Sequence, residues 1–211
     1  MIVQGSPEWF AARAGKVTAS KVADIMARTK SGPSASRANY AAQLVAERLT
    51  GKVEETFKNA AMIWGTEQEP YAREAYEYQA GVFVTEVGFV DHPVIAMTGA
   101  SPDGLVGDDG LLEIKCPNTS THLETLTGQK VPSKYMTQIQ WQIACTGRAW
   151  CDFASFDPRM PAHMRLWVQR VPRDDAMIAE LEAEVTAFLA EVETTVADLS
   201  RLYPEPQAIA A

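Results

Sequence analysis

No run of eighteen apolar residues occurs anywhere in the chain, and the opening MIVQGSPEWF has no basic segment leading into an apolar core. Neither a membrane span nor a signal peptide is therefore expected. Cysteine is scarce. Cys116, Cys145 and Cys151 are an odd set without CxxC or histidine-spaced pairs, which argues against a disulfide frame, a zinc site or an iron-sulfur cluster. Reduced thiols in a soluble, cytoplasmic protein fit better. His92, His122 and His163 are scattered and read as surface or turn residues rather than ligands. At 211 residues the chain suits one well-buried domain and is short for two.

The net charge of −8 argues against a nucleic-acid partner until its distribution is considered. Residues 174–211 hold nine acids against Arg201 alone, which leaves eighteen charges of each sign over residues 1–173. Residues 1–60 carry nine Lys and Arg against five acids, so a basic region exists where a strand of DNA could lie. Dispersed surface cations would explain the same count.

Thr18 or Ser20 can cap a short helix running to about residue 28, and residues 31–36 read as a loop. A second helix over 36–49 sets Tyr40, Leu44, Val45 and Leu49 at helical spacing and stops at Gly51. A third, over about 59–79, ends at Gly81 and is kinked or split at Pro70. From Val82 the texture turns to strands. VFVTEVGFV, VIAMTGASPDGLV and LLEIKC, separated by tight turns, read as an antiparallel meander. A helix over 133–146, strands over 149–156 and 164–171, and a long helix from about 174 to 202 complete the order. The last helix sets Ile178, Leu181, Val185, Phe188 and Val192 on one stripe, which could pack on the sheet or on another subunit.

SPDGLVGDDGLLEIKCP, residues 101–117, carries the chemistry. Side chains alternate along a strand, so Glu113 and Lys115 share one face. With a two-residue turn within 107–110, Gly104 lies opposite Glu113 and leaves that point open, and Asp103 sits one step along. Two carboxylates converging near a backbone carbonyl, here that of Ile114, are hard oxygen ligands suited to Mg2+. Such a centre can promote phosphodiester hydrolysis, with Lys115 orienting the water. On the third helix Gly65 and Glu69 lie one turn apart. Gly65 would admit a close approach of backbone or DNA, and Glu69 could serve a second cation or its water. Taken singly, Asp-Gly is also a common turn and Glu-x-Lys a common solvated ion pair.

At these residues the chain resembles the YqaJ-like viral recombinase family of PD-(D/E)xK nucleases, to which phage lambda exonuclease belongs. WFAARAGKVTAS, WGTEQEPYAR, SPDGL, LEIKCP, KYMTQIQWQ and FDPRM look like segments of that family in the same order, while residues 25–60 match weakly. The resemblance implies an α/β fold of α+β type: a restriction-endonuclease-like core whose central mixed sheet, with an antiparallel meander, is flanked by helices. It implies one nuclease domain, with a helical DNA-end-binding part at 1–60, a catalytic core at 61–173, a C-terminal helix at 174–203 and a frayed tail at 204–211. The activity implied is an alkaline-type, Mg2+-dependent 5'-to-3' exonuclease on double-stranded DNA, releasing mononucleotides and leaving 3' single-stranded tails for phage-type recombination. Two Mg2+ per site, replaceable by Mn2+, a ring-shaped homotrimer, a single-strand annealing partner and a bacterial or prophage origin go with it.

On the family pattern Asp103, Glu113, the Ile114 carbonyl and Glu69 would hold metal. Lys115 would act on the water, and Gln138 would approach from its helix. Arg13 and Ser20 match positions that contact the 5' phosphate; a guanidinium fork and a helix start both favour anions. Read alone, Arg13 is a surface charge, Ser20 a helix cap, Trp9 a packing residue, and Gln138 and Gln142 an ordinary polar face. Two other functions remain compatible with the sequence: an endonuclease using the same centre, and a DNA-binding scaffold without activity.

Overall fold

The computed structural model describes residues 2–30, 32–53 and 59–204. The chain opens with α1 (Pro7–Arg13), capped by Ser6, then β1 (Val17–Thr18), a 3-10 turn over Ala19–Lys21 and α2 (Val22–Met26). No helix was expected at α1, although Ser6-Pro7-Glu8 carries the signal for a helix start. The helix expected from Thr18 or Ser20 is shortened, and its entry at Lys21 has no side-chain cap. β2 (Arg28–Thr29) and β3 (Gly32–Pro33) pair as a small antiparallel hairpin, with β3 in the stretch expected to be a loop.

α3 (Ala35–Thr50) and α4 (Ala60–Ala80) follow the signals read from sequence. Ser34 and Asn59 accept hydrogen bonds from the first-turn amides of Arg37 and Met62, and Gly51 and Gly81 close the helices in left-handed conformations. Tyr40, Leu44 and Val45 are buried as their spacing requires, whereas Leu49 is exposed. α4 runs unbroken through Pro70. Both Pro70 and Thr66, whose carbonyl loses its usual partner, are exposed, so water can satisfy that carbonyl.

The expected meander is divided between two sheets. β4 (Val84–Thr85) belongs to one sheet, β5 (Val90–Asp91) and β6 (Thr98–Ala100) to another, and β7 (Gly104–Val106) and β8 (Gly110–Lys115) return to the first. Each long apolar run thus crosses from sheet to sheet. After β8 come α5 (Thr119–Gly128), a 3-10 turn over Ser133–Tyr135, α6 (Met136–Thr146), β9 (Trp150–Phe156), β10 (Leu166–Pro172) and α7 (Asp175–Leu202). The central sheet has the order β10-β9-β8-β7-β4, with β8 and β9 parallel and the other pairs antiparallel. The α5 and α6 crossover makes that parallel pair possible.

α6 is buried nearly all round, from Ile139 to Cys145, because it lies between the sheet and a helical layer. Ile139 and Ile143 pack with Leu111 and Phe153, while Trp141 and Cys145 join the core of α2, α3 and α7. Leu181, Val185, Phe188 and Val192 of the α7 stripe pack into that core within their own chain, and Ile178 joins Ile139 and Ile143. On the opposite sheet face Leu112 and Ile114 meet Ala72 and Tyr76 of α4.

Two histidines are not surface residues. His92 is buried, stacked on Trp141, and accepts at Nδ1 from the amides of Val94 and Ile95. His122 is fully buried between Ser155 and the Met164 carbonyl. His163 is exposed, and the three cysteines are free thiols. No helix among the described residues is long and apolar enough to cross a membrane. The tail expected to fray lies, from residue 205 onward, outside the described residues.

Candidate active site

The site is set by the β7–β8 hairpin. Its loop has three residues, 107–109, so Val106 pairs with Gly110 and Gly104 with Leu112, one residue away from the register that a two-residue turn gives. The shift brings Asp103, rather than Gly104, level with Glu113. Gly104 leaves no open point at the site. A Cβ there would collide with Val84 of the neighbouring strand, so its role is close strand packing.

Asp103 Oδ2 accepts from the Ile114 amide at 2.6 Å. Burial pushes this carboxyl well above the usual carboxylate range, and the charges of Glu113 and Glu69 push it further, against the pull of Lys115. Glu113 has no solvent exposure, and three polar side chains hold its carboxylate: Lys115 Nζ pairs with Oε1, Gln138 donates to Oε1 at 2.6 Å and Gln142 to Oε2 at 2.6 Å. Burial opposes the charge on Lys115, yet Glu113 and Asp103 hold its ammonium above the ordinary lysine value. The ammonium is therefore a fixed cation and a hydrogen-bond donor.

Glu69 reaches the same neighbourhood from α4. Burial raises its carboxyl, Arg73 lowers it, and Glu113 raises it again. Arg73 Nη2 pairs with Glu69 at 2.9 Å and approaches the Asp103 carbonyl at 3.5 Å, while Nη1 pairs with Glu86 at 2.6 Å. Sequence reading missed Arg73, although its position one turn after Glu69 was a signal for an ion pair. It also missed Gln142. The spacing of Gln138 and Gln142 showed a shared face, but only the fold shows Glu113 beneath it. Gly65 meets nothing within 4 Å of where a Cβ would stand, so no protein backbone among the described residues uses the approach it allows.

Asp103, Glu113 and the Ile114 carbonyl could offer an all-oxygen donor set. Among the described residues no three His, Cys, Asp or Glu side chains form a ready-made cage. The donors fit a hard cation held by one or two carboxylates and otherwise by water or phosphate. The electrostatics agree, because three carboxylates crowd against Lys115 and Arg73.

Arg13 lies beside this hairpin. Its guanidinium stacks 3.9 Å from the Trp9 ring centroid and reaches Ser101 Oγ at 3.5 Å, to which Trp9 Nε1 also donates at 2.9 Å. Trp9 thus does more than pack. Among the described residues no carboxylate pairs with Arg13, and burial lowers its pKa. Ser20 is exposed in the 3-10 turn, caps no helix, and makes no hydrogen bond to Arg13 or Ser101 among the described residues.

Residues 8–149 match the YqaJ-like viral recombinase domain. The chain is 58% identical to LHK-Exo, an alkaline exonuclease from Laribacter hongkongensis, over 93% of this chain and 97% of that one, with a TM-score of 0.87. The structure of LHK-Exo in complex with dAMP gives 0.88 over the same shares. A phage-related exonuclease from Haemophilus somnus, 15% identical, shares the fold with a TM-score of 0.71 over 88% of this chain and 96% of that one. No curated protein matches the chain.

Proposed function

Because the chain belongs to the YqaJ-like viral recombinase family, a family of nucleases with the PD-(D/E)xK fold, we propose that it is a Mg2+-dependent exonuclease. It would digest one strand of duplex DNA from the 5' end, release mononucleotides and leave 3' single-stranded tails. The observation that carries this reading is the convergence of Asp103, Glu113 and Lys115 at one end of the β7–β8 hairpin. The dAMP bound by LHK-Exo belongs to the chemical class of product proposed here.

Asp103, Glu113, the Ile114 carbonyl and Glu69 would hold the metal. Bound there, Mg2+ would supply Lewis-acid stabilisation of the charge that develops on the phosphate oxygens. Lys115, kept protonated by its two carboxylate neighbours, donates a hydrogen bond that orients the attacking water and stabilises negative charge on it. Gln138 reaches the same carboxylate from α6 and so also borders the reacting groups. Glu69, tethered by Arg73, would serve a second cation or hold its water on the α4 side.

The 5' preference draws its support from Arg13. A half-buried guanidinium that contacts a neutral hydroxyl and an indole, and feels the charge of Glu47 without a salt bridge to it among the described residues, is suited to a phosphate. Ser20 would complete that contact from its exposed turn. A homotrimer encircling DNA, and a single-strand annealing protein that uses the 3' tail, complete the proposal. Digestion of linear duplexes labelled at the 5' or the 3' end of one strand tests its polarity. Early release of 5' label, faster from phosphorylated than hydroxyl ends, is expected and should lose its phosphate preference in Arg13→Ala. Early release of 3' label, or nicking of closed circles, would overturn it.

A further inference from the structure

The two oxygens of Glu113 are not equivalent. Oε1 takes both Lys115 and Gln138, whereas Oε2 takes Gln142 alone. A carboxylate oxygen offers two lone pairs, so the protein fills those of Oε1 and leaves one on Oε2. Gln142 is fully buried, and its own Oε1 has no partner among the described residues. Burying an unpartnered amide oxygen is unfavourable, and a methionine of similar length would avoid it. Turning the amide over gives no relief, because that would set oxygen against the carboxylate. The arm is also rigid, since Ile139 and Ile143 lock α6 against Leu111 and Phe153.

We propose that Gln142 is a positioning residue for Glu113: it fixes the rotation of the buried carboxylate so that the remaining lone pair of Oε2 is offered to the cation in one orientation. The inference rests on Glu113 being a cation ligand, as proposed above. Gln142 touches neither water nor DNA in this role. It acts through Glu113.

The test compares the full chain with Gln142→Met, which keeps the length and removes the donor. Mn2+ binding is measured by calorimetry, and kcat and KM are measured for nucleotide release. Mn2+ affinity and kcat should each fall roughly 10- to 100-fold, as when a group that orients a metal ligand is removed, with KM for DNA ends within about twofold of wild type. Thermal unfolding without metal of Gln142→Met, Glu113→Gln and the double variant provides a second reading. The Gln142→Met change should lower the midpoint more beside Glu113 than beside the substituted glutamine. Wild-type Mn2+ affinity and kcat, or equal midpoint changes in both backgrounds, would overturn the proposal. Should Gln142→Met not fold, Gln142→Asn, which withdraws the amide by one methylene, carries the same comparison. If the wild-type protein neither binds Mn2+ nor releases nucleotide, the nuclease reading fails, while the stability comparison still decides whether Gln142 holds Glu113.

Discussion

Asp103 shows what the site requires at the scale of a residue. Its carboxyl is raised in the folded protein by burial, then by Glu113 and Glu69. A carboxyl raised above its unfolded value of about 3.9 contributes stability that is complete below that value and lost as pH rises through the folded one. Without metal, the protein should therefore lose stability with rising pH. Asp103→Asn, which keeps an acceptor for the Ile114 amide, should flatten that loss and raise the metal-free midpoint, as thermal unfolding in chelator across pH would show. Asp157 of the FDPRM segment has the opposite sign. Burial raises its carboxyl, but hydrogen bonds from Arg159 and Thr119 prevail and bring it down to about 2. Its contribution is present above the unfolded value and lost as pH falls towards about 2. Arg159 also reaches the Pro117 carbonyl and lies 4.6 Å from the centroid of Trp64, tying β9 to α4. Asp157→Asn should destabilise by about 1.5–3 kcal/mol at neutral pH in urea unfolding. Glu113 and Lys115 were legible in the sequence because alternation along a strand allows only one pairing of faces. Gln142 was not, because an amide on a helix looks the same whether it meets water or a buried carboxylate.

At the scale of elements, capping and periodicity made α3, α4 and α7 legible almost to the residue. α5 was not, because TSTHLETLTG lacks an apolar stripe and buries His122 and Thr125 instead. The strands β4 to β7 were read as too few and too long, since local pattern cannot show where an apolar run leaves one sheet for another. The hairpin register slipped by one because Gly-Asp-Asp-Gly is compatible with a two- or a three-residue loop. The observed register makes a specific demand on Gly104. Gly104→Ala should destabilise by about 1–3 kcal/mol through collision with Val84, and Val84→Ala should restore part of the loss. Equal stability of wild type and Gly104→Ala in urea would contradict this register.

For the whole molecule, charge and packing connect the two ends of the chain. Three acids of α7 are paired with cations from the first sixty residues: Arg28 with Glu184, Arg37 with Glu191 and Arg48 with Glu193, at 2.6 to 3.0 Å. Lys16 and Lys21 pair with Asp91 and Asp24. The basic excess read from composition is thus largely internal, and Arg13 stands apart from it. Phe188 of α7 stacks on Tyr40 of α3 with ring centroids 5.7 Å apart, in the core that also holds Val17 and Val22 around the Ser20 turn. Phe188→Ala should cost about 3–5 kcal/mol and, as the helical layer loosens, weaken the preference for phosphorylated ends in the nuclease assay. The measurement that bears most directly on the central claim is nucleotide release from linear duplex DNA by wild type and Lys115→Ala, each with Mg2+ and with chelator. The account predicts release by wild type with Mg2+ only, and a loss of at least about 100-fold in Lys115→Ala with thermal unfolding showing an intact fold. Release that persists in chelator, or a folded Lys115→Ala as active as wild type, would contradict it.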